Sequence, residues 1–447
     1  QYEPLLIRST LQLMALSASK VADRILIADA HLFDSVTTAA YEANRIKLIN
    51  AINNGAAGLV LVSQYSNHDG QSHGSFVNEG YFLQNQVPSK RVPILAVRLE
   101  DLEAAGIYQW EDLETITAAR MVVDSDVLSP AQSGNLAVRI PGLNPNKAMI
   151  LSAHIDSPNT PGGFDDGSGS VILLEIAEVL NESKMQPSSD LWLVWYGSHE
   201  NGIYGSAHFA ATYNELLDKT LAVLNIDCLG LPLEETNADI ILDYSSLSRF
   251  GDASAPWQEF LKAEAAQIGI QTVLYDEHGL IADNSNYDTY GIPEINLIYF
   301  DPFDMEKRGN SYIHYSNHWH DPYETVDKVA LVSDVLVDMA RVALMGAIET
   351  GRYNADWRNL SQDKPCALFI ASHTAPSSMV TSLRELGMAL THAGFDVDAV
   401  PFGTPFAPSD LENAGVVVLL PTYDFPNQPD EGWSQEEIAL LTDYLED

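Results

Sequence analysis

The sequence predicts an α/β protein built on a mainly parallel sheet with helices on both faces, with a smaller module on either side of that central domain. Three observations carry the prediction. Between residues 121 and 355, apolar β-branched runs alternate with helix-length segments, the pattern of strands joined by crossover helices. The texture of the chain changes near Ala22, Arg120 and Asp363. At 447 residues the chain exceeds one ordinary core, since domains hold ~100–200 residues.

In order, residues 1–19 carry a short helical pattern around Leu11–Leu16 and are assigned with residues 121–355 to the central domain. Residues 20–120 form a separate small module: strand Arg24–Ala28, amphipathic helix Tyr41–Asn53, and strands Gly58–Val62 and Val92–Val97. In the central domain, Asn135–Ile140 and Met149–Ala153 read as a strand pair joined by the Pro141–Pro145 turn. Helix 168–182, strand Leu191–Tyr196, helix 205–217 and strands Leu221–Ile226 and Ile240–Tyr244 follow. Helix 256–267, strands Thr272–Tyr275 and Glu294–Ile298, and a long helix from Val326 to Ile348 complete the domain. Residues 364–447 repeat the texture: strand Ala367–Ala371, helix Ser377–Ala393, strands Val397–Val400 and Val416–Leu420, and a final helix opened by a Ser434/Glu437 capping box. A layer of three strands looks unfinished, and a longer natural chain is expected.

Composition excludes some partners. With 62 acidic and 23 basic residues the formal charge is −39, which argues against nucleic acid or an anionic membrane surface and fits a solvated acidic exterior. No run of 18 apolar residues occurs, so no bilayer-spanning helix is expected. Cys228 and Cys366 lie in different domains and make no disulfide framework. The chain opens on Gln1 rather than Met, from which a secreted or periplasmic protein is expected. Nothing in the sequence sets the oligomeric state.

The chemistry concentrates in Ala148–Glu200. Two apolar runs, Met149–Ala153 and Leu191–Tyr196, end in groups that can bind a metal: His154 and Asp156 after the first, His199 and Glu200 after the second. Between them Gly162–Gly169 opens a helix, with Asp165 and Asp166 at its start. Open α/β sheets bind ligands at the carboxyl ends of their strands. Adding Asp227 and His320, five positions, His154, Asp165, Glu200, Asp227 and His320, follow strand ends with oxygen or imidazole donors and no thiolate, a set suited to Zn, Mn or Co. Asp166 is read as a helix cap for the Gly167–Gly169 amides, and His314 and His318 as surface or pocket-wall histidines.

The order H-x-D, D-D-G-S-G, x-E-x-G-x-x-G-S, N-x-D and H-x-P-x-x-T over residues 120–350 resembles the M28 zinc exopeptidases. The resemblance implies two zinc ions, with Asp165 bridging, His154 and Asp227 completing one site and Glu200 and His320 the other. It implies that Asp156 orients His154, that the substrate is a peptide, and that Asn286, Tyr287 and Tyr290 lie where relatives carry pocket groups, a tyrosine hydroxyl being the candidate to stabilise a tetrahedral oxyanion. Lys47, Ala51, Gly55, Ala56 and Gly58, followed by LVLVS and VPILAV, resemble a protease-associated lid domain, expected beside the mouth of the site. The C-terminal segment resembles the start of a glutamine-amidotransferase-like or flavodoxin-like domain.

One position departs from the family. Two consecutive glutamates are usual after the second strand, the first taking a proton from the metal-bridging water; here the pair is His199-Glu200. A carboxylate that takes a proton becomes neutral, whereas an imidazole becomes a cation beside two dications. At ~5 Å and an effective dielectric of ~20, each added unit repulsion is about 3 kcal/mol before screening. His199 is therefore expected to act as a base of depressed pKa and as a poorer proton shuttle. The expected function is an exopeptidase, an aminopeptidase first. A recognition protein that kept the scaffold and lost turnover, and a glutaminyl-cyclase-like enzyme, are the alternatives.

Overall fold

The computed structural model describes residues 2–29, 32, 38–63, 92–122, 132–157, 160–227, 231–232, 238–245, 254–275, 282–300, 317–318, 324–353, 366–374, 376–387, 389–390, 393, 395–411, 414–420 and 433–446. His314, His320 and Cys228 lie outside them.

The N-terminal module is a four-stranded parallel sheet, β1 (Glu3–Ile7), β2 (Arg24–Asp29), β3 (Gly58–Ser63) and β4 (Ile94–Arg98), in that spatial order. Helices α1 (Thr10–Met14) and α2 (Thr38–Asn53) connect the strands. Leu13, Leu48 and Ile52 from the helices bury against Ile7, Leu26, Leu59 and Leu61. The assignment of residues 1–19 to the central domain is corrected here. Glu3 to Ile7 pair residue by residue with Arg24 to Ala28, and Tyr2 and Ala119 exchange two backbone hydrogen bonds of 2.9 and 2.8 Å. The apolar run Pro4-Leu5-Leu6-Ile7 is a strand that needs a partner, and the nearest parallel edge is β2, one helical connection away.

The central sheet has seven strands: β5 (Leu136–Ile140), β6 (Asn144–His154), β7 (Ser189–Tyr196), β8 (Thr220–Ile226), β9 (Asp239–Asp243), β10 (Val273–Tyr275) and β11 (Glu294–Phe300). Their order is β10-β9-β11-β8-β6-β7-β5, with the β9/β11 and β5/β7 pairs antiparallel and the other four parallel. The two-residue period of the strands divides their side chains between two cores. Met149, Leu151, Ala153, Leu191, Leu193, Ala222 and Leu224 face helices α3 (Gly167–Ser183), α5 (Ser254–Gln267) and α7 (Ser333–Tyr353). Ala148, Ile150, Val194, Tyr196 and Val223 face α4 (Tyr204–Thr212) on the other side. A fully buried Leu contributes about 1.5–3 kcal/mol, and a one-residue slip would send every one of them to the wrong face, so burial fixes the register. This is the expected mainly parallel sheet with helices on both faces.

The expected pairing of β5 with β6 is also corrected: β5 lies beyond β7, antiparallel to it. The connection passes over the start of β7, where Leu143 N and Asn144 N donate to the carbonyls of Pro187 and Ser188. Asp190, fully buried, accepts from Gly142 N at 3.0 Å and from the Arg139 guanidinium at 2.8 Å. Gly142 is pressed so close to this backbone that a Cβ would stand 2.6 Å from Asp190 N. Gly142→Ala is expected to lower the melting temperature, by a destabilisation of roughly 1–3 kcal/mol or more. An unchanged melting temperature would show that the crossover yields freely.

The C-terminal module has three parallel strands, β12 (Cys366–Ile370), β13 (Asp396–Val400) and β14 (Ala414–Leu419), in the order β13-β12-β14. The expected helix Ser377–Ala393 is interrupted: α8 spans Pro376–Ser382, and Leu383–Gly387 continue as a wider turn. The capping box forms as expected at the start of α9 (Gln435–Glu446), with Glu437 N on Ser434 Oγ at 3.1 Å and Ser434 N on Glu437 Oε2 at 2.8 Å. The module rests against the chain that follows β7. Ile203 is buried with Ala367, Phe369 and Met379, and the Tyr204 and Phe402 rings meet edge to face at 5.6 Å. No described helix is long and apolar enough to cross a membrane.

Candidate metal centre

Strands β7, β6 and β8 are adjacent and parallel, so their carboxyl ends share one edge of the sheet. His154 ends β6, His199 and Glu200 follow β7 after a Gly-Ser turn, and Asp227 follows β8. The start of α3 completes the edge. Asp166 caps that helix as expected, accepting from Gly169 N at 3.1 Å, and its other oxygen accepts from His154 N at 2.9 Å. Gly169 allows this approach, because a Cβ there would stand 2.6 Å from the Ile226 carbonyl oxygen.

His154, Asp165 and Asp227 are buried, and their donor atoms converge. His154 Nε2 lies 2.9 Å from Asp165 Oδ1 and 3.8 Å from Asp227 Oδ1. His199 Nε2 lies 3.6 Å from Asp227 Oδ2, and its ring stacks on that of His154 at 3.9 Å and 6°. Two sets of donors each fall within 4.8 Å: His154, Asp165 and Glu200, and His154, His199 and Asp227. The expected arrangement has Asp165 bridging, with His154 and Asp227 on one ion and Glu200 and His320 on the other. Here His154 and Glu200 share a set because β6 and β7 are neighbours. His320 lies outside the described residues.

Asp156 holds the His154 ring through its backbone. His154 Nδ1 donates to the backbone carbonyl of Asp156 at 3.0 Å and is 3.8 Å from its carboxylate. That carboxylate instead accepts from His199 N at 3.0 Å and Glu200 N at 3.1 Å, tying the tip of β7 to the tip of β6. Beneath the site, Ser152 Oγ donates to Asn225, and Asn225 to Asn296, a polar ladder across β6, β8 and β11.

The tyrosines also depart from expectation. Tyr287 is fully buried and shares a hydrogen bond with Tyr196, while the Tyr290 hydroxyl meets Thr404 of the C-terminal module at 3.2 Å. Asn286 Nδ2 donates to Ser206 Oγ and to the Ile203 carbonyl. These groups are engaged in packing the loop. Of His318, the backbone pairs with Leu231. The residue that sequence reading missed is Asp283, fully buried, which accepts from His199 Nδ1 at 2.9 Å and from Ser206 Oγ. Its one signal was the run Asp283-Asn284-Ser285-Asn286, unusually polar for a segment placed just before a buried strand.

The electrostatics favour a cation. Burial and the charge of His154 push the His199 pKa down, but Asp283 and Asp227 outweigh them and leave it raised to about 10. This is opposite in direction to the expected depression, which assumed metal ions alongside. Burial likewise lowers His154, and the bond to Asp165 with the charges of Asp166 and Asp227 carries it well above its ordinary value. Burial pushes Asp227 up to about 6 against the pull of the two imidazoles. Among the described residues, both oxygens of Asp227 are buried without a hydrogen-bond donor. A divalent cation would satisfy those oxygens, and a set of imidazole and carboxylate donors fits zinc.

Residues 135–346 match the sequence profile of peptidase family M28. The chain is 30% identical over 189 residues to an aminopeptidase of Pseudomonas aeruginosa, covering 42% of this chain and 32% of that protein. It is 33% identical over 194 residues to leupeptin-inactivating enzyme 1 of Streptomyces exfoliatus, covering 43% and 39%. With aminopeptidase YwaD of Bacillus subtilis the identity is 27% over 214 residues, covering 47% and 43%. The match therefore spans less than half the length of these curated relatives. Among solved structures, the zinc aminopeptidase BSAP of Bacillus subtilis superposes with a TM-score of 0.54 at 17% identity, over 81% of this chain and 78% of that one. A peptidase M28 precursor from Shewanella amazonensis gives a TM-score of 0.54 at 17% identity, over 80% and 76%. These two share the fold.

Proposed function

Because residues 135–346 form a peptidase family M28 domain, we propose that the protein is a two-zinc exopeptidase that removes a terminal residue from a peptide, with the amino terminus as the first candidate. The observation that carries this reading is the convergence of His154, Asp165, Glu200 and Asp227 on the shared carboxyl edge of three adjacent strands. The relatives named as aminopeptidases support the choice of terminus.

His154, Asp165, Glu200 and Asp227 would hold the metal, with His320 as the further ligand implied by the family. Bound zinc supplies a Lewis acid for the scissile carbonyl and lowers the pKa of a bound water. The chain's own residues supply the frame. The Asp156 backbone carbonyl fixes the His154 ring, its carboxylate holds the His199 and Glu200 amides, and Asp166 locks His154 N to the start of α3. Burial of the cluster keeps the local dielectric low, which strengthens every charge interaction within it.

The test is hydrolysis of a panel of chromogenic substrates, half with a free amino terminus and half with a free carboxyl terminus, by the zinc-loaded chain. Release of amino-terminal residues is expected, with loss of activity on chelation and recovery on adding zinc. Turnover that survives complete metal removal would overturn the reading, as would stoichiometric zinc with no cleavage of any member of the panel.

A further inference from the structure

His199 stands where a proton acceptor is expected, but its contacts suit another task. We infer that His199, held by Asp283, is a ligand of the same metal ion that Asp227 binds; this deepens the two-zinc reading above and rests on it. The first observation is the orientation of the ring. Asp283 is fully buried, and Ser206, itself held by Asn286, donates to one of its oxygens. The other oxygen accepts from His199 Nδ1 at 2.9 Å. A carboxylate acceptor at Nδ1 places the proton there, so the neutral ring carries its lone pair on Nε2.

The second observation is what Nε2 faces. It lies 3.6 Å from Asp227 Oδ2, too far for a hydrogen bond, and among the described residues neither oxygen of Asp227 accepts one. A neutral imidazole nitrogen and a carboxylate oxygen buried at that separation can share one cation. Ligand atoms held ~2.0–2.1 Å from one tetrahedral zinc lie ~3.4 Å apart, close to the separation found. An imidazole whose other nitrogen is tied to a buried carboxylate is the usual form of a metal-bound histidine.

The third observation is the stack. The His154 and His199 rings lie parallel at 3.9 Å, and each presents its Nε2 to an oxygen of Asp227, at 3.8 and 3.6 Å. Asp156 holds the ring in that place from the backbone side, through His199 N. With Nε2 engaged by a metal, His199 has no lone pair for a proton, and the base of the reaction must be another group.

The test counts metal and reads its ligands in the full-length chain. Zinc per chain is measured after passage over a chelating resin, first for the parent and then for His199→Ala and Asp283→Asn, with zinc affinities from competition against a chromophoric chelator. Two ions in the parent, one in His199→Ala, and an affinity at that site reduced ~10–100-fold in Asp283→Asn are expected. His199→Cys loaded with cobalt should show a new thiolate-to-cobalt charge-transfer band in the near ultraviolet, a signature that a merely structural role would not produce. It also serves if His199→Ala fails to fold. Two ions of parental affinity in His199→Ala, or a folded, cobalt-loaded His199→Cys without the band, would overturn the inference while leaving the two-zinc reading intact. A parent that binds no zinc would overturn both.

Discussion

Asp165→Asn is expected to leave fewer than one zinc ion per chain and to lower kcat/KM by ~10³–10⁴-fold, the largest effect of any single change at the site. The carboxylate lies 2.9 Å from His154 Nε2, among the donors set that includes Glu200, and its charge also acts on Asp227 of the other set. The resemblance to the family makes it the expected bridge between the two ions. Asparagine keeps the shape but offers one neutral oxygen and an amide nitrogen that binds no zinc, so one substitution weakens two sites. Loss of the ions removes several kcal/mol of charge stabilisation, and each 1.36 kcal/mol is a factor of ten in rate. Metal analysis together with a melting curve checks the expectation against simple unfolding. A variant that melts like the metal-free parent and holds less than one ion supports the bridge. Retention of two tightly bound ions by Asp165→Asn would assign the bridge to another residue, and Asp227, a carboxylate with one oxygen towards His154 and the other towards His199, would be the next to examine.

Much of this centre is legible in the sequence because three of the candidate ligands follow apolar runs. In a parallel sheet the ends of neighbouring runs meet whatever lies between them. His154 after Met149–Ala153, Glu200 after Leu191–Tyr196 and Asp227 after Leu221–Ile226 needed only that rule. What the sequence does not show is which atom of a residue makes a contact. The H-x-D spacing places Asp156 near His154, yet the backbone carbonyl reaches the ring and the carboxylate reaches β7. Pairings across long stretches of chain are equally silent. Asp283 meets His199 from 84 residues away, and nothing in the intervening chain announces it. The strand Glu3–Ile7 was hidden for a related reason: its partner is set by the β2 edge, whereas the helical pattern just after it is local and readable. Tyr287 read as a pocket residue, but the same sequence serves a buried hydroxyl pair when its neighbour across the sheet is Tyr196.

Asp156→Asn separates holding the site from acting in it. The carboxylate receives one backbone N–H on each oxygen, from His199 and from Glu200, and hydrogen bonds to a charged group are worth about 1.5–3 kcal/mol each. An asparagine side chain can accept only one of the two; its amide nitrogen would face the other N–H donor, so the tip of β7 must move. Since that tip carries both His199 and Glu200, zinc affinity is expected to fall ~10–100-fold with every ligand still present. The measurement is activity titrated with zinc. If Asp156 only positions the tip, Asp156→Asn should be nearly inactive at the zinc level that saturates the parent and should recover most of its kcat when zinc is raised by the same factor that affinity has lost. If kcat stays low in the fully loaded variant, Asp156 takes part in the chemical step, and the two backbone contacts are secondary to that role.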